Sequence, residues 1–103
     1  MEPSKLQKTV VGFLRLHKIQ GGSCKTPLFV LYYKYVRYCW GNQSKKVSPI
    51  EFGRRMSISF VKGKSGRFSY YLTNLEAPEA KERRKMRIWY NRIWARMRNE
   101  QKK

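Results

Sequence analysis

The segment Ser48-Pro49-Ile50-Glu51 restricts the fold of this chain more tightly than any other. A serine hydroxyl can accept from the backbone N–H three residues on, and a glutamate at that third position can reach back to the serine N–H. Two donors that a helix start leaves orphaned are thereby satisfied. Proline fits the first helical position because no N–H is needed there. The pattern predicts a helix starting at Pro49, with Phe52 and Met56 on one face, Gly53 permitting a close neighbour, and Arg54 and Arg55 pointing elsewhere.

Upstream, Leu6, Val10, Phe13, Leu14 and His17 follow the three-and-four spacing of a one-sided helix over residues 5–18, with Ser4 as N-cap and Gly21-Gly22 as its end. A short polar connector, residues 22–26, leads to Thr26-Pro27, a capping hydroxyl followed by a first-turn proline. The second helix carries Leu28, Leu31, Tyr32, Tyr35 and Cys39 in one stripe and Phe29, Tyr33, Val36 and Trp40 in the next, which makes it central to the core. Strand propensity is also high in LFVLYYKYV, but the cap, the length and the spacing favour helix.

Beyond Ser57 the pattern alternates. Ile58 and Phe60, then Phe68, Tyr70 and Leu72, predict a β-hairpin whose basic tip runs from Lys62 to Arg67 and which turns Tyr71 outward. From Pro78 there is no further glycine or proline. Met86, Trp89 or Tyr90, Ile93 and Met97 recur at helical spacing among many arginines, which predicts one basic amphipathic helix over residues 76–103. Its apolar stripe has three open uses: docking on the domain, pairing with a second copy, or binding a partner such as a helicase, primase or polymerase. The expected fold is mainly α with a small hairpin: a nucleic-acid-binding unit over residues 1–75 and a C-terminal helix.

Charge narrows the function. Twenty-four Lys and Arg face six acidic residues, for a formal net charge of +18, which calls for a polyanionic partner. With 41% hydrophobic and 15% aromatic residues the chain still has the means to build a core, so wholesale disorder is not expected. The acidic residues are scattered glutamates with no aspartate, a poor basis for the clustered carboxylates of Mg²⁺-dependent nucleases and polymerases. His17 is the only histidine, and Cys24 and Cys39 have no metal-ligand spacing. A non-enzyme without cofactor or metal is therefore expected. Two reduced thiols predict an intracellular setting, the cytoplasm or nucleoid, or the nucleus of a eukaryotic host. No apolar run approaches the ~20 residues that a membrane span needs.

Three helices followed by a basic hairpin match the order of a winged helix-turn-helix. Residues 10–75 resemble the RFX-like winged helices, including those at the C-termini of phage and plasmid primase-helicases, through VSPIEFGRRM and GRFSYYL. Phe52-Gly53-Arg54 fits that group's FG[RK] step, Arg67-Phe68-Ser69-Tyr70-Tyr71-Leu72 fits its returning wing, and TPLFVLYYKYVRYCW looks like its tyrosine-rich second helix. The hairpin is shorter than in eukaryotic members. The resemblance implies a winged-helix protein that binds double- or single-stranded DNA, as an accessory replication or regulatory factor of a mobile element or virus.

On the predicted surface, Arg54 and Arg55 can grip phosphate or a guanine edge, and Lys62, Lys64, Ser65 and Arg67 can follow a backbone. Lys45 and Lys46 precede the capped helix, and an outward Tyr71 can stack on a base. Arg83, Arg84, Arg87, Trp89 and Arg92 form a secondary nucleic-acid or partner surface. The rival readings are an adaptor acting through the C-terminal helix and an RNA-binding protein. Composition leaves duplex, single strand and oligomeric state open.

Overall fold

Ser48 starts its helix as predicted: its hydroxyl accepts from the Glu51 N–H at 3.2 Å, with Pro49 in the first turn. In the computed structural model, described for the backbone of residues 5–66 and 68–101 and the side chains of residues 9–66 and 68–97, seven elements follow in order. These are α1 (Lys5–Leu16), β1 (Gly21–Pro27), α2 (Leu28–Gly41), α3 (Pro49–Ser59), β2 (Lys62–Ser65), β3 (Phe68–Thr73) and α4 (Ala80–Gln101). The strands form one antiparallel sheet in the order β1-β3-β2. Ser4 and Leu6, read as cap and stripe of the first helix, lie outside the residues whose side chains are described.

The core is organised around α2, which buries Phe29, Val30, Leu31, Tyr32, Tyr35 and Cys39. Phe13 of α1 meets the edge of Tyr35 with ring centroids 5.8 Å apart, and Phe52 of α3 lies 4.9 Å from Tyr35 and 5.3 Å from Tyr32. Offset and edge contacts of this kind add to the burial of large apolar rings. On the other side α4 brings Met86 and Tyr90 into the same core, with Trp89 edge-on to Tyr33 at 5.2 Å. Of the three uses open to its apolar stripe, the C-terminal helix here docks on its own domain.

Two tyrosines of α2 hold the chain just ahead of α3. The Val47 N–H donates to the Tyr35 hydroxyl at 2.9 Å, and the Tyr32 hydroxyl donates to the Val47 carbonyl at 2.8 Å. Both main-chain polar groups of the buried Val47 are satisfied by a neighbouring helix, so the loop that carries Lys45 and Lys46 enters α3 from a fixed point. Burial pushes the Tyr35 phenol up to about 12, and Tyr32 rises for the same reason, which keeps on Tyr32 the proton that it donates to Val47. Tyr35→Phe is expected to cost about 1–3 kcal/mol in urea unfolding, since it strands a buried N–H. A change below about 0.5 kcal/mol would show that the clamp contributes little.

Several sequence expectations are corrected. Residues 22–26, read as a polar connector, lie within strand β1 (Gly21–Pro27). Glycine, serine and lysine carry weak strand propensity, and only pairing with β3 makes them a strand. That pairing removes Thr26 from its expected capping role: its hydroxyl is buried against the Thr73 hydroxyl at 2.7 Å and donates to the Leu75 carbonyl at 2.7 Å. Pro27 occupies the cap position of α2, without a side-chain bond. Helix α3 runs on to Ser59, so Ile58, expected in a strand, is helical and exposed. A two-residue alternation could not outweigh helical hydrogen bonding, to which the Phe60 N–H still contributes by donating to the Met56 carbonyl. Trp40 is 80% exposed: it lies beyond the stretch of α2 that the rings of α4 reach at Phe29, Tyr32 and Tyr33, while Cys39 next to it stays buried.

Candidate nucleic-acid interface

The hairpin register decides where its charges stand. Lys62 is paired with Tyr71 and Lys64 with Ser69, while Gly63 is paired with Tyr70. Directly opposed residues share a face of the sheet, so Lys62, Lys64, Ser69 and Tyr71 lie on one side and Gly63 and Tyr70 on the other. The first side faces α3: the Tyr71 hydroxyl donates to the Gly53 carbonyl at 3.0 Å and lies 3.1 Å from the Ser57 hydroxyl.

Tyr71 is thus fully buried and cannot stack on a base, which corrects its assignment as the exposed ring of the hairpin. Its neighbour Tyr70 takes the outer face, half-buried, lying across Gly63 where any Cβ would overlap its ring, with the Lys25 ammonium 5.5 Å from its centroid. Two adjacent aromatics alternate equally well in either phase, and the phase is set by the side on which α3 sits. Gly66, at φ +60°, makes the turn in a conformation that favours glycine. Arg67 lies outside the described residues.

The remaining candidates separate by exposure. Lys45, Lys46, Arg54, Lys62, Lys64 and Ser65 are exposed, whereas Arg55 is half-buried on the flank of α3 away from the hairpin. Arg54 forms an i,i+3 ion pair with Glu51 at 3.6 Å. With the Arg54 side chain 73% exposed, the pair is worth little and leaves the guanidinium available. On α4, Arg83, Arg84, Arg87 and Arg92 are exposed. Trp89 is turned inward between Tyr32 and Tyr33, so it is a packing residue rather than a contact residue.

Arg54 and Lys62 come together on a concave feature that the sequence did not reveal. A groove of about 1060 Å³ runs between α3, the start of the hairpin and the second half of α4. Ile50, Gly53 and Ser57 form one wall, Asn91, Trp94 and Ala95 the other, and Phe29, Phe68 and Tyr90 lie in it. Among the described residues, no acidic side chain lines the groove. The Arg87 guanidinium lies over the Phe68 ring at 5.8 Å from its centroid, which orients one cation beside it. The sequence signal for the far wall was slight: Asn91 and Ala95 sit on the shoulder of the amphipathic stripe, where periodicity alone reads a solvated flank.

No helix among the described residues is long and apolar enough to cross a membrane. Comparison of the chain with protein families, with curated proteins and with solved structures returned no significant match.

Proposed function

We propose that this chain is a non-catalytic DNA-binding protein of the winged-helix type, acting as an accessory replication or regulatory factor of a mobile element or virus. The observation that carries the reading is the convergence of Arg54 from α3 and Lys62 from the hairpin on one concave face of a chain with a net charge of +18. A winged helix uses this pair of elements, its third helix and its hairpin, on duplex DNA. The order α1-β1-α2-α3-β2-β3, with β1 added to the hairpin as a third strand, supports the same assignment.

The chemistry is charge neutralisation with local geometry. Exposed Lys45, Lys46, Lys62 and Lys64 offer point charges to phosphates, and the planar fork of Arg54 can bind a phosphate or the O6/N7 edge of guanine with two parallel bonds. Arg84 and Arg87 of α4 extend the basic surface beyond the groove. The binder rather than catalyst reading rests on the scattered glutamates and the lack of aspartate. The adaptor alternative loses its main support, because the apolar stripe of α4 is occupied by α2.

Competition of DNA against RNA of equal length and strandedness tests the proposal. DNA is expected to win, and a clear preference for RNA would overturn the reading. Arg54→Ala combined with Arg55→Ala is expected to weaken DNA binding about tenfold, within the ~1–3 kcal/mol assigned to a bidentate arginine contact. The melting temperature should stay nearly constant, because neither side chain is part of the core. Unchanged affinity in this double variant would remove α3 from the interface.

A further inference from the structure

The groove contains more than a duplex surface requires. Phosphate contacts call for exposed cations, whereas this feature is also an open trough lined by aromatic and aliphatic side chains. Phe68 stands edge-on to Phe29 at 5.4 Å, Tyr90 is tilted against Phe29 at 6.4 Å, and Trp94 stands edge-on to Tyr90 at 6.3 Å. Ile50 is 40% exposed at the opposite wall. Ser69 and Asn91 provide hydrogen-bonding groups at the margin.

Cations lie on both sides of this apolar trough. Arg54 and Lys62 line it directly, and Lys64 continues along β2 on the same face of the sheet as Lys62. On α4, Arg84, Arg87, Asn91 and Ala95 follow one another at spacings of three, four and four residues, which places all four along one flank of the helix. An occupant must therefore offer a flat apolar part to the floor and negative charge to both rims. An acidic protein helix would meet the first demand, but the cationic path continuing beyond the trough at each end fits a longer polyanion. A nucleotide strand combines planar apolar bases with a repeating anion.

We propose that the groove between α3 and α4 receives an unpaired nucleobase of a DNA strand whose phosphates run over Arg54 and Lys62 on one side and Arg84 and Arg87 on the other. Base stacking against Trp94 and Phe68 supplies affinity with little sequence preference, and Ser69 and Asn91 meet the base edge. The inference rests on the DNA-binding reading above and adds a substrate class to it: strands with exposed bases, as at an opened or single-stranded segment.

The test compares three probes on the full chain: a 12-nucleotide oligodeoxythymidylate, a strand of the same length built of abasic sites, and a blunt duplex. The abasic strand is expected to bind about tenfold more weakly than the natural one, the loss that one stacked base accounts for. Trp94→Leu keeps apolar cover over the core and removes the stacking face. Ala95→Leu narrows the groove from an exposed position and leaves the core untouched, so it reports even where the tryptophan variant does not fold. Either variant should bring the natural strand down to the level of the abasic one while leaving the blunt duplex within about twofold of its original affinity. Equal binding of natural and abasic strands overturns the base pocket while charge-driven DNA binding stands. A full preference for the natural strand retained in Ala95→Leu places the base elsewhere and also overturns it. An acidic amphipathic peptide added as a fourth probe, if it binds and neither strand displaces it, overturns the proposal and gives the groove to a protein partner. Absence of binding to all three probes removes the DNA reading itself, and this inference with it.

Discussion

Raising salt from about 50 to about 200 mM is expected to weaken duplex binding by about three orders of magnitude, the loss that accompanies release of counterions from about six neutralised phosphates. The number follows from the exposed cations on or beside one face: Lys45, Lys46, Arg54, Lys62, Lys64 and Arg87. Each is solvated, and among the described residues only Arg54 of these six forms an ion pair that would compete with phosphate. Equilibrium titration of a short duplex at several salt concentrations reads the slope directly. With about six contacts the logarithm of affinity should fall by about five for each decade of salt. A nearly flat line would mean that phosphate neutralisation does not drive binding. A slope near one would restrict the interface to a single cation, such as Arg54 acting alone.

Stopping the chain after Leu75 is expected to abolish cooperative folding. The cut removes Met86 and Tyr90 from the core together with the half-buried Trp89, Ile93 and Trp94, and bares Phe29 and Tyr32 on α2. Fully burying a large apolar side chain contributes about 1.5–3 kcal/mol. Two buried and three half-buried residues therefore amount to about 5–10 kcal/mol before chain entropy, comparable to the whole stability of a small domain. Circular dichroism of residues 1–75 should show helix loss and a broad urea transition. A sharp transition near that of the full chain would show that α4 is an appendage. Truncation accordingly says little about which half binds DNA, because the shortened chain loses the scaffold that positions α3.

The elements that could be read from the sequence were those defined by local chemistry. The serine cap and following proline place the start of α3 to the residue. The apolar spacing of α2 and α4 is decided within each segment: α2 appears where its pattern places it, and α4 covers Ala80–Gln101 of the 76–103 expected, starting after Pro78 rather than before it. Exposure of Arg54, Lys62 and Lys64 followed equally from charge, since an unpaired cation is seldom buried. The pairing of distant segments was not legible. GGSCKTP has no intrinsic reason to be a strand, and KGKS reads as a loop tip until β3 supplies its hydrogen bonds.

Tyr71 shows where that limit lies. Its sequence says that it alternates with Tyr70, and alternation has no sign: either ring could face the core. The sign is decided by Gly53, whose carbonyl accepts from the Tyr71 hydroxyl across the interface of α3 and the sheet. The groove has the same origin, since Arg54 and Lys62 come from one end of the fold and Trp94 from a helix thirty or more residues later. By itself the sequence determined a capped helix beginning at Pro49, an aromatic second helix, a basic amphipathic C-terminal helix and a net charge of +18. The tertiary structure decided which ring is buried, which strand completes the sheet and where the cations meet, because these depend on which surfaces remain once α2 is enclosed on several sides.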